Sequence, residues 1–143
     1  MDNPWREIEA NWQGESVFIG TNPRGGTVQM GNREGSPGIS PMELLLVGVA
    51  GCTGMDVASI LTKKRQPLVE LKVKVRGRMV DDFPRVFDMI EIEYLLWGDG
   101  IEPAAVEQAI HLSEDKYCSA SAMLRASAKV NWSYRIFKPG EPV

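Results

Sequence analysis

The sequence has few of the side chains that bind metal ions, and its cysteines are widely separated. It contains two cysteines, Cys52 and Cys118, and one histidine, His111, to which we assign no role. Two thiols this far apart cannot form a CxxC redox motif, and with one imidazole they cannot complete a zinc shell. Two alternatives remain. Either both cysteines are core thiols, or one is reactive and the other resolves it.

The chain also has no excess of positive charge. It contains 16 Lys and Arg and 19 Asp and Glu, which gives a net charge of -3. The overall field therefore does not favour nucleic acid or an anionic membrane surface. The first residues have neither the basic nor the apolar segment of a secretion signal. The longest apolar run, 44–61, is interrupted by Asp56 and several glycines, which predicts a buried helix rather than a membrane span. We expect a cytoplasmic protein, in which thiols are normally reduced.

Turn signals and apolar periodicity divide the first half of the chain into a hairpin and a long helix. The hairpin is predicted over residues 17–30, around an Asn-Pro-Arg-Gly-Gly turn. Ser40 is the predicted N-cap of the helix, with Pro41 at the first helical position and Glu43 three residues after the cap. This is a capping-box pattern, and the helix should run to about 63–65.

The second half of the chain alternates between strands and helices. Apolar residues alternate with charged ones over 69–78 and 90–96, which predicts two half-buried antiparallel strands whose basic and acidic outer faces can pair. A second helix is predicted from Pro103, a short helical stretch over 119–124, and a last strand over 130–136. The predicted order is β-β-α-β-β-α-β, an α+β fold with an antiparallel sheet.

The central helix has more apolar surface than one chain can cover. Its segment 44–61 is apolar on nearly all sides, so it must be covered all round. The single predicted domain, residues 1–143, supplies only one other sizeable helix. We therefore expect a homodimer in which two such helices share a core.

Two motifs together resemble those of the OsmC/Ohr family, the osmotically induced and organic-hydroperoxide-resistance proteins. They are Pro-Met-Glu-Leu-Leu-Leu at 41–46, followed by Gly-Cys-Thr around Cys52, and Lys-Tyr-Cys-Ser-Ala-Ser around Cys118. The resemblance covers essentially the whole chain. It implies an intertwined homodimer with active sites at the subunit interface and no cofactor. It also implies that organic hydroperoxides are reduced by a peroxidatic Cys52 and a resolving Cys118, with a dithiol such as a reduced lipoyl group as the thiol source.

Two departures from this resemblance point to a divergent branch of the family. The well-studied hydroperoxide reductases have a glutamate ten residues before the first cysteine, where this chain has Met42. Glu43 is one residue later, a rotation of about 100° on a helix. The turn after the cysteine is apolar in those enzymes, whereas here Asp56 shares a helix face with Cys52.

The candidate site residues each have an alternative interpretation. A nucleophilic Cys52 needs a lowered pKa, and Arg24, in a Gly-rich turn, is the best candidate to stabilise its thiolate from the partner subunit, with Arg33 as competitor. The family uses an arginine from this turn region in that way. Glu43 could hold the arginine in place, or it could serve the capping box alone. Asp56 should raise the thiol pKa unless it pairs with a cation.

Two functions from different classes follow. One is a cysteine-based hydroperoxide reductase that acts on small organic hydroperoxides in oxidative stress. The other is an OsmC-like dimer that binds an apolar ligand at the subunit interface with little turnover. The two cysteines in matching motifs favour the enzyme, while Met42 and Asp56 favour the binding protein.

Overall fold

Two three-stranded sheets and one long helix account for most of the secondary structure. The computed structural model describes residues 3–143. The chain divides into a unit of Met1–Leu44 and a unit of Leu45–Val143, and each unit has its own sheet. In chain order the elements are β1 (Glu9–Trp12), β2 (Phe18–Thr21), β3 (Thr27–Met30), α1 (Pro41–Lys63), β4 (Glu70–Met79), β5 (Phe87–Trp97), α2 (Pro103–Leu112), a π-helical turn (Ser113–Tyr117), α3 (Ser119–Leu124) and β6 (Lys129–Phe137). The predicted α+β class is confirmed.

The N-terminal unit is an antiparallel meander of β1, β2 and β3. The predicted hairpin is confirmed as β2 and β3. Its turn is closed by Asn22, whose backbone N–H donates to the Gly26 carbonyl at 3.0 Å and whose side-chain oxygen accepts from the Gly26 N–H at 2.8 Å. Gly25 has a φ of 92°, which side-chain-bearing residues rarely adopt. The sequence analysis missed β1, because its four residues are all exposed and show no apolar alternation.

The predicted capping box begins α1. The Ser40 N–H donates to Glu43 Oε1 at 2.9 Å, and the Glu43 N–H donates to Ser40 Oγ at 3.1 Å. The helix ends at Lys63, two residues before Arg65, which has a φ of 57°. The predicted bounds of this helix are therefore confirmed at both ends.

Only one narrow stripe of α1 is buried within the chain. The stripe consists of Val49, Thr53, Val57 and Leu61, spaced four residues apart. Elsewhere on the helix Leu45, Val47 and Met55 are exposed, and Met55 is 76% accessible. Within the described residues, α1 is the one helix long and apolar enough to cross a membrane, with a mean hydropathy of 1.9, yet only 22% of that window is buried. A single chain therefore leaves most of an apolar helix uncovered, which is the premise of the predicted dimer.

The C-terminal sheet has the order β4-β5-β6. Strands β4 and β5 are antiparallel as predicted, and the predicted cross-strand pairing of basic and acidic faces forms between Arg76 and Glu91. A second pair, between Arg78 and Asp88, was not predicted. Strand β6 differs from the prediction, because it pairs with β5 in parallel. The chain between β5 and β6 includes two helices and the π turn, which is long enough for the crossover that a parallel pair requires.

The core of the C-terminal unit is built on β5, which is buried along most of its length. The apolar residues of α2 complete it, as the predicted stripe required. After α2 the helix widens into the π turn, and Ser113 and Glu114 are buried there. Cys118 then leaves helical geometry, with ψ at 99°, and becomes the N-cap of α3. The fully buried large side chains are Tyr94, Leu61, Ile90, Ile92, Leu95, Leu96, Ile110, Val49, Val57 and Val106.

Candidate functional site

The two cysteines come together in the C-terminal unit. Cys52 lies half-buried in the middle of α1, and Cys118 lies at the start of α3, 2% exposed. Both are free thiols. They are close enough that the Cys52 thiol contributes to the raised pKa of Cys118. The structure thus contains a thiol pair, although the chain shows no CxxC motif.

The Cys118 sulfur is held by Ser121. The thiol donates to Ser121 Oγ at 3.2 Å, and the Ser121 backbone N–H donates to the sulfur at 3.4 Å. Burial raises the pKa of Cys118, the hydrogen bonds with Ser121 lower it, and the Cys52 thiol raises it again, so that the net shift is upward. Cys118 is therefore a protonated thiol at neutral pH. This suits a resolving cysteine better than an attacking one.

Ser121 contacts an ion pair of which only the carboxylate is buried. The Ser121 hydroxyl donates to Glu114 Oε2 at 3.2 Å. Arg125 donates from Nη2 to Glu114 Oε1 at 3.0 Å and from Nη1 to the Glu114 carbonyl oxygen at 2.7 Å. The side chain of Glu114 is 1% exposed and that of Arg125 37%. Such a carboxylate is tolerated in the interior because each of its oxygens has a donor.

A second buried network runs from Asp56 on α1 to Tyr94 on β5. Ser113 Oγ donates to Asp56 Oδ2 at 2.9 Å, and Thr53 Oγ1 lies 2.8 Å from Ser113 Oγ and 2.7 Å from the Tyr94 hydroxyl. Each hydroxyl has one proton. Because Ser113 gives its proton to Asp56, Thr53 must donate to Ser113 and Tyr94 must donate to Thr53. The four groups form one directed chain that ends on the carboxylate.

The charges of the site act on Tyr94. Burial is the main cause that raises its pKa, the hydrogen bond with Thr53 opposes the shift, and the charges of Glu114, Cys118 and Asp56 add to it. Tyr94 is therefore protonated over the whole physiological range. This supports its place as the donor at the head of the chain.

Asp56 accepts a hydrogen bond from the Ser113 hydroxyl rather than from an arginine. The sequence predicted one of two roles for it. Either it pairs with a cation as part of a site network, or its charge disfavours the thiolate of Cys52. Over residues 3–143 it has no ion pair. Its contact with Ser113 makes it part of a network beside the cysteines, but one without a cation.

The predicted arginine and glutamate lie in the N-terminal unit. Arg24 is exposed in the turn between β2 and β3. Glu43 is exposed in the capping box, where the Ser40 backbone N–H, and next the Ser40 hydroxyl, hold its pKa below the usual value. Arg33, the competitor, donates from Nη2 to the Gln13 carbonyl oxygen at 2.5 Å. No ion pair joins Glu43 to either arginine in the part of the chain that the structure describes. Their roles at the thiols stay predictions.

Three residues of the thiol site were missed by sequence reasoning: Glu114, Ser121 and Arg125. One signal for Glu114 was present. Positions 113 and 114 continue the apolar stripe of α2 by three and four residues from Ile110, so helical periodicity turns them inward. Their polar identities suggested a solvated end of the helix instead.

Comparison with known proteins gives a consistent picture. The model of the OsmC-like protein family matches residues 33–133. Protein YhfA of Escherichia coli is 33% identical over 130 residues, which cover 91% of this chain and 97% of that protein. The crystal structure of a hypothetical protein from Aquifex aeolicus is 35% identical, with a TM-score of 0.81 over 94% of this chain and 98% of that one.

The organic hydroperoxide resistance protein OhrB of Bacillus subtilis is a more distant structural relative. Its identity is 14% and its TM-score 0.62, over 92% of this chain and 98% of that one. At this identity the likeness is one of fold.

Proposed function

The chain belongs to the OsmC-like protein family, and from that premise we propose that it reduces organic hydroperoxides through its two cysteines. Cys52 attacks the peroxide and Cys118 resolves the product. The observation that carries the proposal is the thiol pair itself, in which a half-buried free thiol adjoins a buried one that is kept protonated. The occurrence of hydroperoxide resistance on this fold, in OhrB, adds support.

The proposed cycle has three balanced steps. The Cys52 thiolate attacks the terminal peroxide oxygen, so that an S–O bond forms, the O–O bond breaks, and the alkoxide leaves as the alcohol after taking up a proton. Cys118 then attacks the Cys52 sulfenic acid, an S–S bond forms, and the oxygen leaves as water. An external dithiol, such as a reduced lipoyl group, reduces the disulfide and is itself oxidised.

The proposal includes a homodimer in a cytoplasmic, soluble setting, without nucleic acid or membrane as partner. The uncovered apolar surface of α1 supports the dimer, since a second copy of the helix would cover it. By the family resemblance, Arg24 of one subunit stabilises the Cys52 thiolate of the other, and Glu43 holds that guanidinium. Sedimentation at micromolar concentration should then give about twice 15.9 kDa. A folded monomer would remove the interface site.

Mass mapping under non-reducing conditions tests the chemistry. After addition of cumene hydroperoxide, we expect a disulfide between Cys52 and Cys118 that disappears on treatment with a dithiol. In the Cys118→Ser variant, dimedone should label Cys52 as a sulfenic acid. If both thiols of the wild-type protein can still be alkylated after excess hydroperoxide, the peroxidase proposal is wrong.

The alternative function is a dimer that binds an apolar ligand without turnover. Asp56 favours it, since a carboxylate without a cation on the same helix face as Cys52 disfavours a thiolate. The same labelling experiment separates the two. Saturable binding of an alkyl hydroperoxide with no dimedone adduct would favour the binding protein.

A further inference from the structure

Glu114 is a buried carboxylate for which the cycle above has no use. A charged group so far from solvent is costly unless it is paired and hydrogen-bonded. Arg125 compensates its Oε1, and the carbonyl bond from the same guanidinium fixes the backbone of the π turn. The second oxygen, Oε2, is left to accept from Ser121.

We propose that Ser121 is a further catalytic residue of the resolving step, and that its hydroxyl passes the proton of Cys118 to Glu114. The inference rests on the proposed function, because it assigns the base for the attack of Cys118 on the oxidised Cys52. Ser121 touches the reacting sulfur. Glu114 acts through Ser121 and is a positioning residue that holds the proton.

The hydrogen bonds run in the direction that this transfer requires. The Cys118 thiol donates to Ser121 Oγ, and the Ser121 hydroxyl donates to Glu114 Oε2, each at 3.2 Å. Cys118 is 2% exposed and Ser121 is 0% exposed, so solvent has almost no direct access to this thiol. The Ser121 backbone N–H also points at the sulfur and favours the negative charge that develops there.

The resolving thiol needs such a base. Burial raises the pKa of Cys118, whereas only a thiolate attacks sulfur efficiently. Two other acidic groups lie near the site but are committed elsewhere, because Tyr94 donates within its own chain of hydroxyls and Asp56 accepts from Ser113. The titratable groups that act on the thiol or its partners are Cys52 on α1, Tyr94 on β5 and Glu114 in the π turn, with Asp56 acting on Tyr94 and Arg125 paired to Glu114.

The step balances without any added reagent. The electron pair of Cys118 forms the S–S bond while the S–O bond of the Cys52 sulfenic acid breaks and its electron pair leaves on oxygen. The thiol proton moves to Ser121, and the Ser121 proton moves to Glu114. The departing hydroxide takes up one proton, which returns the relay to its starting state, so that a sulfenic acid and a thiol become a disulfide and water.

Resolution can be measured without any hydroperoxide. An aryl disulfide that releases coloured thionitrobenzoate reacts first with the half-buried Cys52. Attack of Cys118 on the resulting mixed disulfide then releases a second equivalent. Stopped-flow absorbance separates the two phases, and Cys118→Ser should show the first phase alone. The rate of the second phase is followed from about pH 6 to pH 9, within the range where an ordinary carboxylate is ionised.

We expect a second-phase rate in the wild-type protein that is nearly independent of pH, because the relay through Ser121 removes the thiol proton without hydroxide. Ser121→Ala and Glu114→Gln should each lose about a hundredfold of this rate at pH 7, a typical general-base contribution. Their remaining rate should rise about tenfold per pH unit, because hydroxide then removes the proton. The controls Ser127→Ala and Asp115→Asn change an exposed serine and the exposed carboxylate next to Glu114, and they should behave as wild type.

Wild-type rates and wild-type pH dependence in both Ser121→Ala and Glu114→Gln would overturn the relay. Should Glu114→Gln fail to fold, Ser121→Ala decides the matter alone, since it leaves the ion pair intact. Release of only one equivalent by the wild-type protein would also overturn it. A pH-independent second phase in a protein whose Cys52 is not oxidised by cumene hydroperoxide would leave the relay standing and refute the peroxidase function.

Discussion

The two cysteines occupy opposite kinds of surroundings. Cys52 lies in the middle of a regular helix, half-buried, on a helix whose large apolar side chains are mostly uncovered. Cys118 lies where a helix breaks, inside the protein, with two hydrogen bonds to one serine, donating one and accepting the other, and with an ion pair next to that serine. Solvent reaches the first thiol more readily than the second. The difference teaches that burial and hydrogen bonding distinguish two thiols that their motifs do not rank, and the proposed function uses this difference by making Cys52 the attacking thiol.

The largest effect should come from removing either sulfur. Cys52→Ser should abolish organic-hydroperoxide turnover, whereas Cys118→Ser should allow one round and then accumulate sulfenic acid, because only the second thiol converts it into a recyclable disulfide. Single-turnover kinetics with dimedone trapping measure both. Equal first-turnover rates in wild type and Cys52→Ser would contradict the assignment of Cys52 as the attacking thiol.

Removing Arg125 should destabilise the folded protein around Cys118. Arg125→Met leaves the Glu114 carboxylate buried without its cation, and we expect a loss of about 2 kcal/mol in the free energy of unfolding, below the range for a fully buried pair because the guanidinium is partly exposed. Urea unfolding measures it. Arg135→Met, which removes an exposed pair with Glu93, is the control and should cost less than about 1 kcal/mol. Equal losses in the two variants would show that the Glu114–Arg125 pair stabilises the protein no more than an exposed ion pair does.

Removing Arg24 should slow the reaction of Cys52 with hydroperoxide. Arg24→Ala is expected to slow the first step roughly tenfold, which corresponds to about 1.4 kcal/mol of lost transition-state stabilisation. The pKa of Cys52, followed by thiolate absorbance, should rise at the same time. Stability should change little, because Arg24 is exposed in a turn. The same change in Arg33 is the matched comparison, and a larger rate loss there would transfer the role to Arg33.

Tyr94 should give the smallest effect. Tyr94→Phe removes one buried hydrogen bond and should cost about 1 kcal/mol in the free energy of unfolding at pH 7. The folded-state pKa of this tyrosine lies above its ordinary value of 10.0, so its protonated form favours the folded state, and that contribution is lost as pH rises beyond about 10. The variant should therefore lose less stability than wild type between neutral and strongly alkaline pH. An unchanged alkaline slope in urea titrations would refute this assignment.

Much of the fold could be predicted because local signals specify it. The capping box of Ser40 and Glu43 gives the start of α1, and alternation gives β4 and β5. The direction of β6 could not be predicted, since its side chains alternate in the same way whether the strand runs parallel or antiparallel to β5. That choice depends on the crossover between the two strands, which is a tertiary property.

The candidate site could be predicted only in part. Both cysteines stood out by their motifs, but their contact depends on two segments that meet in space. The partners of Cys118 escaped notice because a carboxylate at Glu114 is far more often solvated than buried. Only the ion pair with Arg125, which closes across α3, makes its burial tolerable. No spacing rule in a single sequence encodes that compensation.

The parallel pairing of β5 with β6 has a consequence for how the protein is made. Because the chain is synthesised from the N-terminus, β6 emerges from the ribosome after β5, α2, the π turn and α3, so the edge of β5 opposite β4 stays unpaired until then. Pairings between strands so far apart in sequence also form slowly, because a long loop must close first. During this period one edge of β5 is unpaired, and the residues that later bury Cys118 have not yet packed around it. We expect this period to be when its thiol is most exposed to oxidants in the cell.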